Sequence, residues 1–248
     1  YMSWQKYQED TAVIFNSIGW TAEIGKYVEG VRGTHEVDVF VTFKQNGIDC
    51  QWVVECKYWN SSVPKEKVLA LQSIVSDIGA DKGVLISKKG FQSGAIKQSK
   101  KSNILLTSLD ELKELAKKEI LICRAENLEK ELVNLNRTYD ELVNQAYSKS
   151  GQYLKFGFLE YGIKGVDGQR AMALAWLLRE SKKDLDLNKV EPGPYRVYLC
   201  GKNDDFSMRS KIITEFVDDQ GEYLDNLERI IRLSSKWLQE KNVPFECT

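Results

Sequence analysis

The 248-residue sequence has no CxxC pair, no apolar run of membrane-spanning length, no charge excess of consequence and no tandem repeat or low-complexity tract. Each absence removes a class of protein. The five cysteines, at 50, 56, 123, 200 and 247, are odd in number and scattered. That argues against a disulfide framework or a thiolate zinc site and for a reducing compartment. A bilayer helix takes about 20 consecutive apolar residues, and no stretch approaches that. The first residues carry no charged-then-apolar leader pattern, and Tyr1 ahead of Met2 is left out of the reading. A formal net charge of −1 gives the chain no global attraction for nucleic acid or an acidic membrane, so any polyanion site must come from local clustering. The glycines of "GIKGVDG" lack the GK[ST] ending of a phosphate loop and read as a flexible connection. What remains, with 42% hydrophobic residues, is a soluble, core-forming, cytoplasmic protein.

The order of elements is readable from periodicity. Residues 3–18 place apolar side chains at Trp4, Tyr7, Ala12, Phe15 and Ile18, close to helical spacing, and Gly19 is a natural stop. "WTAEIGKYVEGV" reads as a first strand, the polar loop "RGTHE" leads to the β-branched "VDVFVTF", and "KQNG" signals a hairpin into "DCQWVVECKYW". Pro64 stands near the start of a helix, "PKEKVLALQSIVSDIGA". "KGVLISK" is a short buried strand, "QSGAIKQSKKS" a small polar helix and "NILLTS" a further strand, and Asp110 opens another helix. The sum, α-β-β-β-α-β-α-β, predicts an α/β fold with a mixed sheet flanked by helices, over residues 1–112.

Beyond it, Leu121, Ala125, Leu128, Leu132, Leu135, Tyr139, Leu142 and Ala146 alternate steps of four and three. This heptad pattern makes residues 113–150 a helical connector, with one helix of about 28 residues and roughly 40 Å. Its stripe suits either packing within the chain or a dimerising, domain-spacing role. Residues 151–248 form a C-terminal accessory module, α or α+β, for sensing, partner binding or oligomerisation. Its elements are a helix ("QRAMALAWLLRES"), a strand ("YRVYLC") and a final helix ("YLDNLERIIRLSSKWLQEK").

The stretch "VVECKYW" carries the chemistry. Strand side chains alternate between faces, so Glu55 and Lys57 point the same way while Cys56 faces the opposite side as a small core residue. Asp38 interrupts another apolar strand, "HEVDVFV". The intervening turn makes the two strands antiparallel partners, which can bring Asp38 beside Glu55. Two carboxylates held together raise each other's pKa unless a positive charge sits between them. A Mg²⁺ ion is an economical solution, with Asp38 and Glu55 as its ligands, because it keeps waters and leaves room for a phosphate. Lys57 would then position a metal-bound water or stabilise developing charge on a phosphate. Lys82, Lys88, Lys89, Lys97, Lys100 and Lys101 follow, with Asp81 the one acid beside them, and such a cluster can neutralise backbone phosphates.

On these motifs, together with "YQEDTAVIFNSIGW", "LQSIVSDIGADKGVLISKKGF" and "SGAIKQSKKSNILLTSL", residues 4–112 resemble the Mrr-type catalytic domain of the PD-(D/E)xK nuclease superfamily, with its restriction-endonuclease-like fold. The resemblance implies metal ligation by Asp38 and Glu55 and makes Lys57 the catalytic lysine. It matches Glu9 to an acidic first-helix position that supports the metal or its water, and Gln72 to a helix glutamine that positions the site. "ECK" replaces the "QCK" of many such proteins, which should strengthen metal binding.

It further implies a Mg²⁺-dependent endodeoxyribonuclease of restriction or anti-phage defence, leaving 5′-phosphate and 3′-hydroxyl ends, with Mn²⁺ able to substitute. Its partners would be DNA and either a second copy, as a homodimer or higher oligomer, or a partner defence subunit. Alternatives are a non-catalytic DNA-binding or scaffold subunit and a junction resolvase. Of the remaining polar residues, Arg32 is a candidate DNA contact with Lys88, Lys89, Lys97, Lys100 and Lys101. The sole histidine, His35, suits loop positioning or a phosphate contact, and Asp77 reads as a helix cap.

Overall fold

The structure, a computed structural model, describes residues 3–150, 166–185, 194–200 and 212–245. It divides into two compact units at Cys123/Arg124.

In the first unit, helix α1 (Trp4–Ser17) starts where the Ser3 hydroxyl accepts the Lys6 N–H, and it ends before Gly19, whose φ of +80° suits only glycine well. Strands β1 (Thr21–Glu29), β2 (Thr34–Gln45) and β3 (Ile48–Lys57) form an antiparallel meander. The β2–β3 turn is Asn46–Gly47, both at positive φ, as a two-residue hairpin of matching twist requires. Helix α2 (Lys65–Ile78) follows Pro64 and closes on Gly79 in the left-handed region. Strands β4 (Lys82–Ser87) and β5 (Ile104–Thr107) add in parallel, joined by the short helix α3 (Ser93–Ser99). The sheet order is β1-β2-β3-β4-β5, the mixed sheet expected from the sequence.

Period-two alternation gives the sheet two cores. Val39, Val41, Val54, Cys56, Val84 and Ile86 pack with Phe15 of α1 on one face, and Val53 and Leu85 pack with Leu71 and Val75 of α2 on the other. Each large apolar side chain so buried contributes about 1.5–3 kcal/mol. Strand β2 breaks its own alternation. Val37 and Val39, two apart, lie in opposite cores, so the strand reorients at Asp38. Gly25, at φ +63°, stands opposite this point, between the pairs Ile24–Val39 and Lys26–Val37.

Helix α4 (Leu109–Ser150) runs 42 residues without a break. The expected boundary near 112 and the separate 28-residue helix are therefore replaced by one element. The reason is in the sequence, since neither glycine nor proline occurs between 109 and 150.

The second unit contains the rest of α4 with α5 (Val166–Asp184), the antiparallel hairpin β6 (Tyr195–Cys200) and β7 (Ile212–Val217), and α6 (Gln220–Glu240). It is therefore α+β. The heptad stripe packs inside it. Leu132, Leu135 and Tyr139 are at most 1% exposed, the Tyr139 hydroxyl donates to the Ser234 carbonyl and the Asn136 amide donates to the Leu178 carbonyl. Packing within the chain thus occupies the seam that a dimerising helix would have used; Leu121 is half-buried and the side chain of Ala146 lies outside the described residues. Asn226 of α6 clamps β6 by exchanging two hydrogen bonds with the Tyr198 backbone. Strand β7 was not expected. Of its described side chains, those of residues 214–216 are exposed and none is fully buried. Most of the expected connection, residues 151–165, lies outside the described residues; Val166–Gly168 already belong to α5.

Candidate active site

Strand β3 turns Glu55 and Lys57 to the α2 side, the face on which Val53 lies. Lys57 Nζ donates to Glu55 Oε2 at 2.6 Å and stands 3.8 Å from Asp38 Oδ2. The three side chains are only 16–18% exposed.

Asp38 holds this place through the sheet itself. The β2–β3 ladder ends at Val39–Val54, and beyond it Asp38 Oδ2 accepts the Cys56 N–H at 2.7 Å. A side-chain carboxylate thus satisfies a backbone donor where the strands part, and a hydrogen bond to a charged acceptor is worth about 1.5–3 kcal/mol. Asp38 Oδ1 accepts the side-chain amide of Gln8 at 2.8 Å. Gln8 is 5% exposed on the inner face of α1, beside Thr11, whose hydroxyl accepts from the Cys56 thiol at 3.6 Å.

The electrostatics follow from burial. Desolvation, and then the neighbouring Asp38 charge, push the Glu55 carboxyl above the ordinary carboxylate range, against the pull of Lys57. Burial by itself would lower Lys57, but the Glu55 contact outweighs it and holds the ammonium charged. Burial pushes the Cys56 thiol up to about 12, so it is an inert core thiol. Two buried carboxylates sharing one lysine are under-compensated, which suits a further cation. Among the described residues no group of three or more His, Cys, Asp or Glu side chains could hold a metal ion, and Asp38 and Glu55 are the two carboxylates that meet at Lys57. Mg²⁺ is commonly held by one or two carboxylates with water and phosphate filling its other positions, and this donor set fits it.

The remaining candidates divide. Glu9 is not brought to the site. It is exposed and lies 3.7 Å from Lys6, because one residue along a helix is a rotation of about 100° and it is Gln8 that faces the sheet. Gln8 is the residue the sequence reading missed, although its position four before Ala12 and seven before Phe15 puts it on the buried stripe. Gln72 is half-buried on α2 and accepts from Gln98 of α3 at 3.2 Å rather than bonding to Asp38, Glu55 or Lys57.

Lys88 and Lys89 follow β4 at the site's end of the sheet, with the Lys88 N–H bonded to the Lys57 carbonyl. Lys88 Nζ stands 4.0 Å over the Tyr58 ring. Helix α3 then runs back. Lys97 lies near its end, and Lys100 and Lys101 lead into β5 beside the start of β4, away from Lys57. Lys82 is at that far end too, over the Trp52 ring. A cluster in sequence is thus divided in space. Lys67, unremarked in the sequence, lies 5.8 Å from the centre of the Trp59 ring, and Lys57 lies 5.9 Å from it.

Asp77 is a loop anchor rather than a cap. Its buried carboxylate accepts from His35 Nε2 at 2.7 Å and Arg32 Nε at 2.7 Å, and also from the Arg32 N–H. The hydrogen bond from His35, and then that from Arg32, hold its pKa below the usual carboxylate value. Arg32 is thereby tied to α2.

A mixed five-stranded sheet flanked by helices, opening at one end around Asp38, Glu55 and Lys57, is the restriction-endonuclease-like architecture. The family comparison is more specific. Residues 1–116, a little under half the chain, match the Mrr catalytic-domain model, described as restriction endonuclease. None of the curated proteins matches the chain. Among solved structures, the crystal structure of a protein of unknown function, AF1548, aligns with a TM-score of 0.39 at 16% identity, over 71% of this chain and 98% of that one. The MspJI restriction endonuclease in complex with a 27-mer oligonucleotide aligns with a TM-score of 0.30 at 17% identity, over 47% of this chain and 27% of that one. No helix among the described residues is long and apolar enough to cross a membrane.

Proposed function

We propose that this chain is a Mg²⁺-dependent endodeoxyribonuclease that hydrolyses DNA phosphodiester bonds in restriction or anti-phage defence, in the cytoplasm. The observation that carries the reading is the convergence of Asp38 and Glu55 on Lys57, at 3.8 and 2.6 Å, at the open end of a family-matched sheet. A degenerate scaffold would have no need to keep an acid pair and a lysine half-buried together, with the energetic cost that burial carries.

In this reading Asp38 and Glu55 hold the divalent ion, Mn²⁺ being able to replace Mg²⁺. Such an ion, when bound, would supply Lewis-acid polarisation of a phosphate and a lowered pKa for water. Gln8 and the Cys56 N–H keep the Asp38 carboxylate oriented. Lys57, released from Glu55 as substrate enters, donates to a phosphate oxygen on which charge develops. The water oxygen bonds to phosphorus and the bond from phosphorus to O3′ breaks, leaving 5′-phosphate and 3′-hydroxyl ends. Lys67, Lys88 and Lys89 would contact neighbouring phosphates, and Trp59 presents a ring edge or face beside them. Cutting both strands calls for two such sites, supplied by a homodimer or a partner subunit.

The test is plasmid cleavage with Mg²⁺, with EDTA, and with Lys57→Ala. Nicking or linearisation that EDTA stops is expected, slowed about 100-fold or more in the variant. Equal cutting by Lys57→Ala would remove the proposal.

A further inference from the structure

We propose that Gln8 restricts the Asp38–Glu55 centre to one divalent ion, and that an acid at this position would admit a second. The inference rests on the nuclease reading and concerns how the same site counts its metal.

A second ion needs a carboxylate oxygen to share and a further anionic ligand to offset its charge. Asp38 is placed to bridge two ions, but both of its oxygens are already spoken for on their inner sides. Oδ2 takes the Cys56 N–H at 2.7 Å and faces Lys57 at 3.8 Å, so the ion shared with Glu55 would sit on this side. Oδ1 takes the Gln8 amide at 2.8 Å. A carboxylate oxygen only accepts, so the group it meets at that distance is the NH₂ of Gln8 and not its carbonyl. Mg²⁺ binds oxygen at about 2.0–2.1 Å. An ion on Oδ1 would therefore lie against two amide hydrogens carrying the same sign of partial charge. At 5% exposure, Gln8 has no solvent into which it could turn away, and α1 packs it against the sheet. Glu9 offers no substitute ligand, since it is exposed beside Lys6 on another face of α1.

Gln8→Glu would reverse each of these features. The donor becomes an acceptor, the repulsion between the introduced carboxylate and Asp38 demands a cation, and three carboxylates then line the pocket. Gln8→Met keeps the shape and removes the donor without adding a ligand. Gln8 acts through Asp38, so it is a positioning residue.

Mn²⁺ alone is the probe, added to the full chain, with bound ion counted by equilibrium dialysis and its electron paramagnetic resonance spectrum recorded. Expected are one uncoupled ion per chain in wild type and in Gln8→Met, and two in Gln8→Glu, with the exchange-broadened spectrum of neighbouring Mn²⁺ ions. Asp38→Asn should lose the wild-type ion. If Asp38→Asn binds as wild type does, the metal reading of the site itself fails. If Asp38→Asn loses the ion while wild type already binds two, or Gln8→Glu still binds one, the site stands and the role of Gln8 is overturned. Circular dichroism of each variant identifies any that does not fold, and the count in wild type then stands by itself: two ions there overturn the proposal.

Discussion

The two ends of the five-stranded sheet are built from the same strands and differ in what completes them. At the end nearest the Asn46–Gly47 turn the ladder is continuous through Val41–Trp52 and Phe43–Cys50. There Trp20 stacks on Phe43 with ring centres 3.8 Å apart, Trp52 stands edge-on to both, and Phe15 closes the group from α1. At the other end the β2–β3 ladder stops at Val39–Val54, and a carboxylate, an amide and an ammonium take over the hydrogen bonding. One end is held by apolar area and aromatic geometry. The other gives up a strand pairing so that charged groups can face a common point. The proposed chemistry belongs to the second end, and the aromatic cluster to the first.

This separation can be broken from either side. Phe15, 1% exposed, touches the aromatic end and none of the proposed reacting groups. Phe15→Ala should cost about 3–5 kcal/mol of stability in urea unfolding, while plasmid cleavage per folded molecule stays at the wild-type level. A folded Phe15→Ala protein that does not cut would show that the two ends are coupled. Asp38→Ala attacks the other end and leaves the Gln8 amide and the Cys56 N–H without their acceptor. We expect a stability loss of about 1–3 kcal/mol together with cleavage no greater than in EDTA. Retained cleavage would place the chemistry elsewhere.

The same contrast explains what the sequence made legible. The aromatic end and the hairpin follow local rules: Asn-Gly fixes the turn, and period two fixes which residues of β3 share a face, so Glu55 and Lys57 were placed together correctly. Asp38 was placed beside them from the antiparallel pairing, but the reorientation of β2 that makes its carboxylate a backbone acceptor has no signature in residue type. The resemblance matches Glu9 to an acidic first-helix position, whereas helix phase, counted back from Ala12 and Phe15, favours Gln8. The lysines after residue 81 read as one patch because nothing in a run of charges reveals that α3 reverses the chain. Beyond the sheet, unbroken helix formers from 109 to 150 already argued for one helix, and β7, exposed over residues 214–216, has no fully buried side chain among those described.

A smaller effect tests the loop that borders the site side of β2. Asp77 is an acid whose folded pKa is depressed by His35 and Arg32. Its contribution to stability is therefore present above the ordinary carboxyl pKa and is lost as pH falls through the depressed value. Asp77→Asn should lower the melting temperature at neutral pH, and the gap to wild type should close as acid protonates Asp77 in the parent protein. A gap independent of pH across that range would mean that shape, not charge, anchors the loop.

The smallest expected effect separates the two ends by their lysines. Each phosphate contact neutralised on duplex DNA adds about 0.9 to the slope of log affinity against log salt. Lys88 and Lys89 lie at the Lys57 end, so the double change Lys88→Ala and Lys89→Ala should flatten that slope by roughly one to two units, measured with a Ca²⁺-blocked or Lys57→Ala background to prevent cutting. Lys100 and Lys101, beside the start of β4, should leave the slope unchanged when both become alanine. Equal losses from the two pairs would mean that DNA runs the length of the sheet instead of crossing its open end. The separation of aromatic and polar ends would then describe the folding of the domain but not how it meets its substrate.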